Sequence, residues 1–245
     1  MKVASRIFAI FATAGALSAV VVGARSQEKP VPNKVSPLAP IEDVEGLPRV
    51  LLIGDSISIG YTLPVREKLR GKANVHRPKD NCGPTKLGLT KLDDWLATGG
   101  KGKEWDVIHF NWGLHDLKYL SPEGKNLADP ADPKNHQQVE TADYEKNLRE
   151  LVARLKKTGA KLIWCSTTPV PEGARGRVAG DAEKYNAVAA KVMAESGIPT
   201  DDLFTFAKAR LPKLQRPADV HFTAEGSEAL AGRVVESILG RLSSK

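Results

Sequence analysis

Val50-Leu51-Leu52-Ile53 is an unbroken run of branched apolar residues held between Pro48 and Gly54. It has neither the 3.6-residue spacing of an amphipathic helix nor the alternation of a half-solvated strand, so it predicts a strand buried on both faces. Such a strand needs helices above and below its sheet, which confines the chain to α/β architectures. Gly54 then turns the backbone, and Asp55 and Ser56 follow at once. Open parallel sheets take their ligands at the carboxyl ends of the strands, where a following helix offers free N–H groups. Ser56 therefore stands where a nucleophile would. Asp55 and Ser56 are also good helix caps, and the motif alone does not separate the two roles.

The far end of the chain adds what a serine needs. A hydroxyl is a poor nucleophile until a base takes its proton, and that base needs an acceptor to fix its tautomer. Asp219-Val220-His221 supplies a histidine with a carboxylate two residues before it, in a loop after Pro217 and ahead of a helix capped by Thr223.

Between these ends, apolar runs alternate with helical spacing. A helix is expected over 62–70 with Pro64 in its first turn, a second strand over 73–77, and a helix over 87–95. Trp105 to Phe110 reads as the third strand and runs into the polar cluster Asn111-Trp112-Gly113-Leu114-His115-Asp116. The proline-bearing segment 119–138 is long for a connection, and such loops tend to cover sites. Thr141 is expected to cap a helix with Tyr144, Leu148, Leu151, Val152 and Leu155 inward. A fourth strand over 160–165, a helix over 181–196 with Asn186 either bonded to a neighbouring loop or, the favoured reading, solvated, a fifth strand over 198–200 and a helix over 202–211 complete the alternation. This pattern calls for a parallel sheet covered on both sides.

The chain has 245 residues and 41% hydrophobic content, enough for one sizeable core. Residues 1–24 read as a secretory signal peptide: Lys2 and Arg6 precede an apolar run, and Val22 and Ala24 occupy the small-residue cleavage positions. The expected localisation is secreted or periplasmic. Residues 25–46, with Pro30, Pro32, Pro37 and Pro40, read as an extended linker, and residues 47–245 as the folded domain.

The net charge of +7 includes two basic residues of the leader, leaving +5. Those charges are scattered, with no run interleaving them with aromatics, so a nucleic-acid partner is not expected. A mildly basic surface instead suits acidic polymers. No later segment is apolar enough for stable membrane insertion. No clustered metal-ligand motif occurs, and neither a metal nor another cofactor is expected. Cys82 and Cys165 fall on elements that should lie apart, so they are expected to be unpaired.

Four blocks together resemble the GDSL, or SGNH, hydrolases: Gly54-Asp55-Ser56-Ile57, then Gly83, then Gly113-Leu114-His115-Asp116, and finally Asp219-Val220-His221. They occur in that family's order and span nearly all of the chain beyond the leader. The resemblance implies a three-layer αβα, flavodoxin-like fold with a five-stranded parallel sheet. It also implies a serine esterase with Ser56 as nucleophile, His221 as base and Asp219 as the orienting acid.

The oxyanion hole would be formed by the N–H groups of Ser56 and Gly83 and by a third donor. His115 stands where the family usually has asparagine, with Asn111 as the other candidate. Asp219 also sits two residues before His221, where the family more often has a spacing of three. The expected partner is a small-molecule or polysaccharide ester, with removal of acetyl groups from carbohydrate the leading expectation. The alternatives are a lysophospholipase or thioesterase acting on longer acyl chains, and a non-catalytic carbohydrate-binding protein on the same scaffold.

Overall fold

A computed structural model describes residues 35–244. The signal peptide and the first part of the linker lie outside the described residues. Five strands form one parallel sheet: β1 (Arg49–Ile53), β2 (Asn74–His76), β3 (Val107–Phe110), β6 (Lys161–Cys165) and β7 (Thr200–Asp201), in the order β2-β1-β3-β6-β7. The flanking helices are α1 (Ser56–Lys68), α2 (Thr85–Leu96), α3 (Thr141–Lys156), α4 (Asp181–Ser196), α5 (Leu203–Lys208), α6 (Leu211–Leu214) and α7 (Ala224–Ser243). A small antiparallel pair, β4 (Tyr119–Leu120) and β5 (His136–Gln137), orders the long segment after β3.

Val50, Leu51 and Leu52 are fully buried and Ile53 is 1% exposed, as the apolar run requires. Each such side chain contributes about 1.5–3 kcal/mol of burial. Leu52 pairs in register with His109 and Ile53 with Phe110, so β1 and β3 end side by side and release Gly54 and Asn111 at one rim. The helical stripes are core as expected, with Tyr144, Leu148, Leu151, Tyr185, Leu230, Val234 and Ile238 all buried. Cys82 and Cys165 are both buried and unpaired.

Several boundaries differ from the expectations. α1 begins at Ser56, six residues before the expected start, because packing against α7 outweighs the weak helix propensity of Ser56-Ile57-Ser58-Ile59-Gly60. Pro64 is consequently inside the helix rather than in its first turn, and the carbonyl it leaves unpaired belongs to Gly60, which is exposed to water. Glu140, not Thr141, occupies the cap position of α3. The fifth strand is Thr200–Asp201, shifted towards the rim, and the expected helix over 202–211 is two short helices, α5 and α6.

Small residues let α7 come close to its neighbours. A Cβ at Gly60 would stand 3.2 Å from Ser227 Oγ, and one at Gly226 would stand 2.1 Å from the Leu214 carbonyl oxygen. Side-by-side packing of α1 and α7 brings the start of each helix, and hence Ser56 and the loop ending at Thr223, to the same end of the sheet. The 41–47 stretch is tied to the opposite region of the fold: Asn74 accepts from Val44 N–H and donates to the Val44 and Leu47 carbonyls.

Candidate active site

Ser56 is the first residue of α1, where its own N–H has no carbonyl partner within the helix. Asp55 caps that helix, accepting the Ile57 N–H at 2.9 Å, which leaves the Ser56 hydroxyl free of the capping role. Ser56 Oγ lies 2.9 Å from His221 Nε2, across 165 positions of chain. On the other side of the ring, His221 Nδ1 lies 2.7 Å from Asp219 Oδ1, and the same oxygen accepts the His221 backbone N–H at 3.1 Å. Partial burial raises the Asp219 pKa, but these two bonds outweigh it, with help from the charges of His221 and Arg216, and hold the carboxyl below its usual range.

The loop holding the pair is closed on itself. Arg216 N–H donates to the His221 carbonyl at 3.0 Å and Asp219 N–H to the Arg216 carbonyl at 3.3 Å. Gln215 Nε2 donates to the Val220 and Pro169 carbonyls, both at 2.9 Å. Ala218, the position three before His221, takes a left-handed φ of 52°.

The three candidates for the rest of the oxyanion hole differ in what they already hold. Gly83 has a φ of 53°, and its N–H donates to Asn81 Oδ1 at 3.1 Å. Asn111 Nδ2 donates to the Cys165 carbonyl at 2.7 Å and to Thr167 Oγ1 at 3.2 Å, tying the end of β3 to the end of β6. His115 is half-buried, and burial lowers its pKa. Asp55 works against that shift, while Lys118, Arg177 and His221 add to it, which places His115 within electrostatic reach of the His221 ring. A neutral imidazole there retains one N–H to donate.

Residues 52–229 match the model of the GDSL-like lipase/acylhydrolase family. The chain belongs to that family. The GDSL assignment extends to solved structures as a shared fold. An acetyl xylan esterase is 15% identical with a TM-score of 0.61, over 78% of this chain and 99% of that one. A lipase/acylhydrolase from Enterococcus faecalis is 23% identical with a TM-score of 0.60, over 81% and 99%. A mutant of an acetylxylan esterase from Geobacillus stearothermophilus is 14% identical with a TM-score of 0.58, over 84% and 98%. No curated protein matches the chain.

In this GDSL domain, Arg77, which the sequence did not single out, and Asp116 and Gly113 of the third block hold the site. Arg77, 2% exposed, donates to the Gly54 carbonyl at 3.2 Å, to Ser58 Oγ at 3.0 Å and to Thr62 Oγ1 at 3.1 Å, bracing the turn under Ser56. Asp116 Oδ1 accepts the Thr85 N–H at 2.8 Å and its hydroxyl at 2.5 Å, locking the third block to the loop that carries Gly83. Complete burial drives the Asp116 pKa up to about 7 despite those bonds. Gly113 is required by space, since a Cβ would stand 2.0 Å from Thr167 Oγ1.

Asn186 takes the loop-bonding role and not the favoured solvated one. It accepts the Thr167 N–H and donates to the Thr167 carbonyl, both at 2.8 Å.

Beside Ser56 and His221 opens a cavity of about 320 Å³, walled by Ile59, Phe222, Thr223 and Ala224 among others. Among the described residues, one His/Cys/Asp group, His109, Cys165 and Asp201, brings its ligating atoms within 4.8 Å of one another. It lies in the core of the sheet, with His109 Nε2 against Asp201 Oδ2 at 3.0 Å. Among those residues, no helix is long and apolar enough to cross a membrane.

Proposed function

We propose that this acylhydrolase is a secreted or periplasmic serine esterase that removes acyl groups, acetyl foremost, from carbohydrate. The observation that carries the reading is the unbroken line Asp219–His221–Ser56, with contacts of 2.7 and 2.9 Å. Ser56 Oγ attacks the ester carbonyl as His221 Nε2 takes its proton, and Asp219 stabilises the imidazolium. The tetrahedral oxyanion faces the Ser56 N–H and His115, in preference to Asn111, whose amide is engaged at β6. Gly83 joins them if its N–H turns from Asn81 to the oxyanion. His221 then returns the proton to the departing alcohol. Water repeats the sequence on the acyl-enzyme, with His221 again the base.

The acetyl and carbohydrate preference rests on three supports: the signal-peptide pattern of residues 1–24, the polar loops after β3 and β6, and the shared fold with acetyl xylan esterases. A p-nitrophenyl ester series from acetyl to octanoyl, run beside acetylated xylan and pectin, tests it. Rates falling with chain length and abolished in Ser56→Ala are expected. Rates rising towards octanoyl would select a lysophospholipase or thioesterase, and undiminished activity in Ser56→Ala would remove the nucleophile.

A further inference from the structure

Two cations beside the candidate oxyanion hole, Lys118 and Arg177, make no direct ion pair among the described residues. Arg177 donates Nε to the carbonyl of Leu114, directly before His115, at 3.0 Å, and its side chain forms no other hydrogen bond or ion pair among the described residues. Lys118, 9% exposed, has no side-chain hydrogen bond or ion pair there at all. The backbone holds them together: Tyr119 N–H donates to the Gly176 carbonyl at 2.8 Å, and Gln138 N–H to the Lys118 carbonyl at 2.8 Å. That clamp admits no side chain at position 176, where a Cβ would stand 2.4 Å from Leu127 Cα.

Both charges act on His115, and Arg177 adds to the lowering that burial imposes on the Lys118 pKa, while Asp55 and Asp219 act on Arg177 in the opposite sense. The carboxylates in range are otherwise engaged. Asp55 caps α1, Asp219 holds His221, and Asp116 is fully buried against Thr85. Two like charges on segments bonded to each other, one buried and one half-buried, and neither in an ion pair, are unfavourable in a free protein. An arriving anion would relieve that cost, and the guanidinium Nη atoms are free to bind it in a charge-assisted fork.

We propose that Lys118 and Arg177 form an anion subsite, so that the preferred ester is carried by an acidic sugar whose carboxylate or sulfate lies next to the acylated hydroxyl. This rests on the esterase reading above and narrows its substrate class.

The test compares three acetylated oligosaccharides on the full enzyme: one of uronic acids, the same material with its carboxyls methyl-esterified, and one carrying sulfate. The kcat/KM for an anionic substrate should exceed that for the neutral one by about ten- to a hundred-fold. The ratio should shrink with added salt and fall towards one in Arg177→Gln and in Lys118→Met. The carboxylate and sulfate arms identify which acid is used.

Binding of unacetylated uronate and sulfated oligosaccharides to Ser56→Ala, followed by calorimetry, supplies a readout that needs no catalysis. Binding that is lost in the Arg177→Gln double variant supports the subsite. Equal rates on acidic and neutral esters would overturn the subsite while leaving the esterase standing. Absence of hydrolysis with salt-sensitive binding retained would overturn the esterase and keep the subsite. Absence of both would overturn both.

Discussion

Asp219 reaches His221 from only two positions upstream, its Oδ1 receiving both the ring Nδ1 at 2.7 Å and the backbone N–H at 3.1 Å. The shorter spacing still delivers a carboxylate because Ala218, just before it, turns the chain through a left-handed conformation. If this carboxylate orients the base, Asp219→Asn should lower kcat by about 10²- to 10⁴-fold with little change in KM. Steady-state kinetics on p-nitrophenyl acetate measures this; a loss under threefold would assign the role elsewhere.

The left-handed turn itself makes a separate prediction. A non-glycine residue at φ 52° stores about 1 kcal/mol of backbone strain. Ala218→Gly should therefore leave Tm unchanged or raise it by a few degrees, with activity retained. A clear drop in Tm by calorimetry would show that the turn is unstrained.

For the third oxyanion donor, the bonds already made separate the candidates. Asn111 is held by Cys165 and Thr167, whereas His115 stands in the field of His221. His115→Ala should cost on the order of 10²-fold in kcat, and His115→Asn should recover part of it. Asn111→Ala should act mainly on Tm. The reverse ranking of the two alanine variants would exchange their roles.

Asp116 links stability to pH with a definite sign. Its folded pKa is raised to about 7 by complete burial, so the folded state holds a proton that the unfolded chain releases near pH 4. Its contribution is present below the unfolded value and is lost as pH rises through about 7. Between pH 5 and pH 8 the stability of the wild type should fall, and Asp116→Asn should flatten that slope. Denaturant unfolding across that range checks it.

Much of this was legible because the chemistry coincides with strong local signals. Val50 to Ile53 is buried without exception, α4 runs over Asp181–Ser196 as its spacing predicts, and the stripe Leu230, Val234, Ile238 defines α7. What stayed hidden depends on partners far away in the chain. The start of α1 is set by contact with α7, and no local propensity records it. Arg77 and Asn186 look like ordinary surface residues until the fold offers them Gly54 and Thr167, and the sequence marked Asp116 without showing that its partner is Thr85. The pairing of Lys118 with Arg177 likewise depends on the bond between Tyr119 and Gly176.

The central claim is that one hydroxyl, activated by His221, does the chemistry. Labelling the full protein with a fluorophosphonate and mapping the modified peptide tests it most directly. Modification at Ser56, greatly slowed in His221→Ala, is the predicted result. A protein that hydrolyses p-nitrophenyl acetate while Ser56 stays unlabelled, or that carries the label on another serine, would contradict it.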